Sequence, residues 1–151
     1  MRLLGVDFGL KRTGLAIGDT SPFFVEPLKT VLTEDMASVV RAVAAEVEIE
    51  AVEGVVVGLP ISLRGHEGGD TLEQVTDFIR RLSSVAGVPV STEDERFTSV
   101  LAERMHREHG ISSGRKFDRD AIAAAMILES YIERLALTAI QVPDQSEQTG
   151  S

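Results

Sequence analysis

Cysteine is missing from this sequence of 151 residues. Its absence excludes disulfide bonds, thiolate metal sites and cysteine nucleophiles, and it fits a reducing compartment. Long hydrophobic runs are missing too: no stretch of about 18 apolar residues is present, so we predict no membrane span. The short apolar stretch at the N-terminus is interrupted by Asp7 and predicts a first strand rather than a signal peptide. We therefore expect a cytoplasmic protein.

Basic residues are also scarce, with 15 lysines and arginines against 24 aspartates and glutamates and a formal net charge of −9. This balance argues against a nonspecific, charge-driven nucleic-acid binder. Two features soften that argument. Asp144 and Glu147 lie in a polar C-terminal segment, residues 141–151, which we expect to be a disordered tail after a single domain at 1–140. In addition, an active site built from carboxylates is itself negatively charged, and bound Mg²⁺ or Mn²⁺ reverses the sign of its local charge.

Hydrophobic periodicity predicts a mixed α/β domain. Early strands are expected at residues 2–7, 13–19 and 28–32, with Pro22 and Pro27 bracketing a turn, and these three can form an antiparallel meander. Later strands at 54–59 and 88–92 alternate with helices, which favours parallel pairing. The predicted helices cover residues 36–47, 71–83, 98–108 and 119–137.

Acidic residues follow two of the predicted strands. Asp7 ends the first strand, where a lone buried carboxylate would be costly, and its structural alternative is to cap the following turn. Asp94 and Glu95 follow the strand that begins at Val88, and ligands of open α/β sheets bind at the carboxyl ends of parallel strands. Arg96, beside them, could hold a phosphate in bidentate fashion. The alternative for this segment is a solvated charged loop.

A further acid lies at the start of the last predicted helix. Asp118 and Asp120 are two residues apart and cannot share one helical face, so one of them is expected to point into a site. The alternative is that the acid only stabilises the helix terminus. Acids that converge without basic partners are best explained by divalent cations with oxygen ligands, and two such cations can hydrolyse a phosphodiester. The candidate phosphate contacts flanking these acids are Lys11, Arg12, Arg115 and Lys116.

Four segments of the sequence resemble, in order, the motifs of the YqgF/RuvX family of pre-16S rRNA nucleases, also described as Holliday junction resolvases. The first runs from Val6 to Gly14 and reads Val-Asp-Phe-Gly-Leu-Lys-Arg-Thr-Gly. The others lie at residues 57–60 with Gly65, at 94–99 (Asp-Glu-Arg-Phe-Thr-Ser), and at 120–131. Leu10 departs from the small or polar residue that is common in the first motif, which affects the detail of the phosphate-facing turn.

The resemblance spans residues 1 to 137 and implies an RNase H-like fold, a mixed five-stranded sheet flanked by helices. It also implies that Asp7, Glu95 and Asp120 are the catalytic, metal-binding carboxylates for Mg²⁺ or Mn²⁺. Glu93, Asp94 and Asp118 are nearby acids that could change the ligand set. The implied role is 5′-end maturation of the small-subunit rRNA precursor during ribosome biogenesis, with nucleic acid and the ribosomal small-subunit precursor as partners.

Three other functions compete with this one. A DNA junction resolvase would use the same fold but must act as a dimer to cut two strands symmetrically. A fragment of an actin-like ATPase or sugar kinase would share the first-strand motif, yet it would need a second lobe that a chain of this length cannot supply. A non-catalytic RNA-binding domain would keep the fold without the nuclease activity. The presence of all three acids argues against this alternative.

Overall fold

The computed structural model describes residues 1–60, 72–94 and 119–141. Within these segments the chain forms five strands and three helices. None of these helices is both long enough and apolar enough to cross a lipid bilayer. In chain order the elements are β1 (Arg2–Asp7), β2 (Arg12–Thr20), β3 (Phe23–Leu32), α1 (Met36–Ile49), β4 (Gly54–Leu59), α2 (Leu72–Val85), β5 (Val90–Asp94) and α3 (Arg119–Gln141).

The five strands form one mixed sheet in the order β3-β2-β1-β4-β5. β1 pairs antiparallel with β2, and β2 pairs antiparallel with β3. On its other side β1 pairs parallel with β4, which in turn pairs parallel with β5. The predicted meander and the predicted parallel pairing are therefore both confirmed. The carboxyl ends of β1, β4 and β5 lie side by side at one edge of the sheet.

Helices cover both faces of this sheet. Alternate side chains of a strand point to opposite faces, so neighbours such as Leu3 and Leu4 enter different cores. One core packs α1 and α2 against the sheet, with Val43 and Phe78 fully buried in it. The other core packs α3 against the opposite face. Its small and apolar members are Leu3, Ala16, Val56, Ile122, Ala124, Ala125, Ile127, Leu128 and Ile132.

Small residues bring α3 close to the middle of the sheet. A Cβ atom at Gly5 would lie 2.8 Å from the carbonyl oxygen of Ala124 and 2.9 Å from the Cβ of Leu128. Such distances leave no space for a side chain at position 5. The alanine-rich start of α3 therefore packs directly on the backbone of β1, as the small residues after Asp120 predicted.

The third strand differs from its prediction. We expected residues 28–32 with Pro27 in a turn, whereas β3 begins at Phe23 and contains Pro27. The pairing shifts at this point, because Leu15 faces Lys29 while the next residue, Ala16, faces Pro27. β3 is an edge strand, and proline is tolerated at edges and irregularities where no partner needs its missing N–H.

Other boundaries moved by a few residues. α1 begins as predicted, with the Asp35 side chain accepting a 2.8 Å hydrogen bond from the Ser38 amide as its N-cap. β5 lies two residues later than the predicted 88–92, and α3 continues past 137 to Gln141. The predicted helix at 98–108 and the predicted tail beyond 141 lie outside the described residues.

Candidate functional site

Asp7 is the last residue of β1, the central strand of the sheet, and its side chain is half-buried. Gly5 faces α3, so the alternation of the strand places Asp7 on the same face. The turn after Asp7 is closed by Thr13: its hydroxyl donates to the Gly9 carbonyl at 2.7 Å and accepts from the Gly9 amide at 3.3 Å. Thr13 thus stabilises the turn that follows Asp7.

Asp120 reaches the same end of the sheet through an unusually close backbone contact. Asp7 is paired directly with Gly14 on β2, which sets their Cα atoms about 5 Å apart. A Cβ atom at Gly14 would lie 1.8 Å from the carbonyl oxygen of Asp120 and 2.7 Å from the amide nitrogen of Ala121. Only glycine permits this contact. The first turn of α3 therefore lies on Gly14, the residue opposite Asp7. This brings Asp7 and Asp120 together at one corner of the sheet, where β1 ends and α3 begins.

Arg12 joins this corner from the start of β2. Its Nε donates to Oδ2 of Asp120 at 2.8 Å, an ion pair with 51% of the Arg12 side chain and 27% of the Asp120 side chain exposed. The expectation that the acids lack basic partners is wrong for Asp120, because the two residues are 108 positions apart in the sequence and only the fold brings them together. Lys11, the neighbouring candidate, is exposed.

At the end of β5 the described acids are Glu93 and Asp94. Glu93 is paired with Gly58 and its side chain is only 1% exposed. Its Oε2 accepts a 2.6 Å hydrogen bond from the Ser130 hydroxyl, and the Nε of Arg134 lies 3.6 Å from its Oε1. Both partners belong to α3. Glu93 thus attaches β5 to that helix immediately before the predicted active-site segment.

From its position in the sequence, Glu93 could be either a metal ligand or an acid that takes no part in the site. Its pairing with α3 was missed. A signal for it exists, since Ser130 and Arg134 are four residues apart and so share one face of the helix. Asp94 alternates to the opposite face of β5 and is half-buried beside Leu59.

The other predicted site residues lie outside the described part of the chain: Glu95, Arg96, Arg115, Lys116 and Asp118. Within residues 1–60, 72–94 and 119–141, no three histidine, cysteine, aspartate or glutamate side chains form a group suited to a metal ion. Asp7 and Asp120 offer carboxylate oxygens, the ligands that Mg²⁺ and Mn²⁺ prefer. Their common corner, with Gly14 leaving room for the approach of α3, fits two members of the predicted set of three.

Comparison with known proteins identifies the family of this chain. The family model of RuvX, described as a Holliday junction resolvase, matches residues 1–134. The chain belongs to the RuvX family. A RuvX relative from Endomicrobium trichonymphae, named "Putative pre-16S rRNA nuclease", is 36% identical over 134 residues, which cover 87% of this chain and 95% of that protein. A relative of the same name from Chloroflexus aurantiacus is 37% identical over 132 residues, 87% of this chain and 86% of its own.

The same fold occurs in a solved structure of RuvC from Thermus thermophilus. That structure superimposes with a TM-score of 0.64 at 16% sequence identity, over 89% of this chain and 96% of the RuvC chain. The RNase H-like fold expected for the RuvX family is therefore confirmed, as is the family resemblance of the sequence. An identity this low carries the fold alone.

Proposed function

We propose that this RuvX-family protein is a nuclease that hydrolyses phosphodiester bonds with the help of divalent cations held by Asp7, Glu95 and Asp120. The observation that carries the proposal is the corner formed by Asp7 and Asp120, at the edge of the sheet where β1, β4 and β5 end. Glu95 follows β5 directly in the sequence. The names of the RuvX relatives support a nuclease as well.

In this proposal the three carboxylates bind and orient, and the chain supplies no covalent nucleophile. When bound, two Mg²⁺ or Mn²⁺ ions would supply an activated water and would stabilise the leaving oxygen. Lys11 and Arg12 lie beside the acids and offer positive charge to the phosphates of the substrate. Arg96, Arg115 and Lys116 are proposed as further phosphate contacts. Phosphate contacts of this kind position the nucleic acid without reading its sequence.

The favoured substrate is the 5′ end of the 16S rRNA precursor, processed in the cytoplasm during ribosome biogenesis, where the small-subunit precursor would be a partner. The names of the curated relatives support this choice. The second candidate is branched DNA, supported by the family's description as a Holliday junction resolvase and by a RuvC structure solved with a Holliday junction substrate. A non-catalytic RNA-binding domain is the third candidate.

The deciding experiment is a cleavage assay with purified full-length protein. Short RNA carrying the precursor 5′ region and a four-way DNA junction are each incubated with Mg²⁺, Mn²⁺ or EDTA. We expect cleavage of the RNA that stops in EDTA and in the variants Asp7→Asn, Glu95→Gln and Asp120→Asn. Asp77→Asn is the matched control and retains activity, because Asp77 is a half-buried aspartate on α2 that pairs with Arg80 and Arg81.

The alternatives have distinct outcomes in the same assay. Activity that persists in EDTA or in Asp7→Asn contradicts the metal mechanism. Preferential cutting of the junction favours the resolvase if analytical ultracentrifugation also shows that the protein is a dimer. Binding of RNA without cleavage in either metal favours the non-catalytic domain.

A further inference from the structure

The contact between Arg12 and Asp120 holds a cation on one of the proposed metal ligands. The guanidinium Nε lies 2.8 Å from Oδ2 of Asp120. Arg12 stands two residues before Gly14, so by alternation both face α3. The pair is therefore formed at the corner where Gly14 brings the backbone of Asp120 opposite Asp7.

A divalent cation at this corner and the guanidinium in its present position compete for the same carboxylate. The Arg12 N–H occupies one lone pair of Oδ2, which leaves fewer acceptor sites on this carboxylate for a metal. Two positive centres a few ångströms apart also repel each other. The Arg12 end of the pair is open to solvent, with half of its side chain exposed, and solvent screening limits the stability that such a pair contributes.

We propose that Arg12 is a counter-ion that neutralises Asp120 in the metal-free protein and is released when the metal binds. The released guanidinium then faces the solvent beside the metal, where it can bind a phosphate oxygen of the nucleic acid with paired N–H groups. The inference rests on the proposed function, since it needs a metal at Asp120. In this inference Arg12 makes phosphate binding depend on metal binding, in addition to contacting the phosphate itself.

The first test is the metal affinity of the full-length protein, measured by isothermal titration calorimetry with Mg²⁺ and separately with Mn²⁺. Removing a competing cation should tighten metal binding, so Arg12→Ala should bind each metal roughly two- to fivefold more tightly than the wild type. Lys11→Ala removes an equal charge from the neighbouring exposed position, and Arg41→Ala removes one from α1. If Lys11→Ala tightens metal binding as much as Arg12→Ala, the loss of one positive charge explains the effect, and the result contradicts a specific role for the contact between Arg12 and Asp120.

The second test measures the coupling with a fluorescent single-stranded RNA and fluorescence anisotropy, with Ca²⁺ in place of Mg²⁺ to slow hydrolysis. In EDTA, Arg12 is held by Asp120, so Arg12→Ala should change the RNA affinity less than twofold. In Ca²⁺ the same substitution should weaken RNA binding roughly threefold or more, since a charge-assisted hydrogen bond is lost. Equal losses in EDTA and Ca²⁺ overturn the inference. Arg12→Lys keeps the charge and should recover part of the loss.

The two proposals fail in different ways. If the wild-type protein binds neither Mg²⁺ nor Mn²⁺, the proposed function fails and the inference falls with it. If the wild type binds metal through Asp7, and Arg12→Ala does not tighten that binding, only the inference fails. Circular dichroism of each variant establishes that it is folded before its affinity is interpreted.

Discussion

The backbone of Asp120 lies against Gly14, so closely that a Cβ atom at position 14 would be 1.8 Å from the Asp120 carbonyl oxygen. Gly14→Ala must therefore push the start of α3 away from β2. We expect a loss of about 3 kcal/mol in unfolding free energy, at the upper end of overpacking costs, and a loss of metal affinity. Urea unfolding measures the first quantity and Mg²⁺ titration the second.

The matched control for that substitution is Gly87→Ala. Gly87 has a φ of +75° and, apart from its chain neighbours, no residue within 4 Å of its ideal Cβ position, so alanine there is strained but clashes with no other part of the fold. It should cost about 1 kcal/mol through the left-handed backbone and leave metal binding unchanged. If Gly14→Ala is folded and its Mg²⁺ affinity is unaltered, metal binding does not depend on the contact between α3 and β2.

Magnesium should stabilise the protein against unfolding. At a free Mg²⁺ concentration one hundred times its Kd, binding to the folded state alone adds about 2.7 kcal/mol to the unfolding free energy. Thermal or urea unfolding with and without EDTA measures this difference, which should vanish in Asp7→Asn and persist in Asp77→Asn. A stabilisation of equal size in Asp7→Asn would place the bound cation elsewhere.

The buried Glu93 should contribute to stability through α3. Ser130→Ala removes the donor to a carboxylate that is almost fully buried, and we expect a loss of about 1–3 kcal/mol. Glu93→Ala should cost a similar amount. Because both substitutions remove the same hydrogen bond, the double variant should lose less than the sum of the two, with a coupling of about 1 kcal/mol by urea unfolding. Strict additivity would contradict a direct interaction.

The N-cap of α1 should make stability depend on pH below neutrality. The Ser38 amide donates to Asp35 and holds the pKa of that carboxyl below its ordinary value of 3.8. A lowered pKa in the folded state means that the stabilisation is present above pH 3.8 and is lost as the pH falls through the folded value. The melting temperature of Asp35→Ala should lie below that of the wild type at pH 7, and the difference should shrink as the pH falls below 3.8.

Glu34→Gln is the control for this titration, since it removes a charge from the exposed residue just before the cap. Its melting temperature should follow that of the wild type across the same pH range. A gap between wild type and Asp35→Ala that stays constant from pH 7 to pH 2 would show that the charge of Asp35 adds nothing to the cap.

The sequence predicted the elements that obey a simple period. β4 is a run of buried β-branched residues, and its bounds were predicted without error. β3 was shortened in the prediction because proline was treated as a strand breaker, and its edge position, which makes Pro27 acceptable, is a property of the assembled sheet. Local patterns therefore identified the sheet, while the order of its strands explained the exception.

Long-range pairs in the site could not be predicted in the same way. Asp7 was singled out as the acid that ends the first strand, and Asp120 was chosen over Asp118 through the family resemblance, whereas the partner of Asp120 was not foreseen. Arg12 is 108 residues away from it along the chain, and no local spacing links the two. Gly14 was likewise only part of a strand pattern until the helix was seen to lie on it. Contacts between distant elements depend on how α3 crosses the sheet, which no single segment specifies.

The central position of β1 has a consequence for the motions of the corner. β1 is hydrogen-bonded to a strand on each side and covered by helices on both faces, so its amide protons should exchange with solvent only when the whole domain opens. Asp120, by contrast, sits in the first turn of α3, where helix amides have no intrahelical acceptor. One acid of the pair is thus fixed to the slowest-exchanging strand, and the other to a helix end that is held by its packing on Gly14 rather than by hydrogen bonds of its own amides.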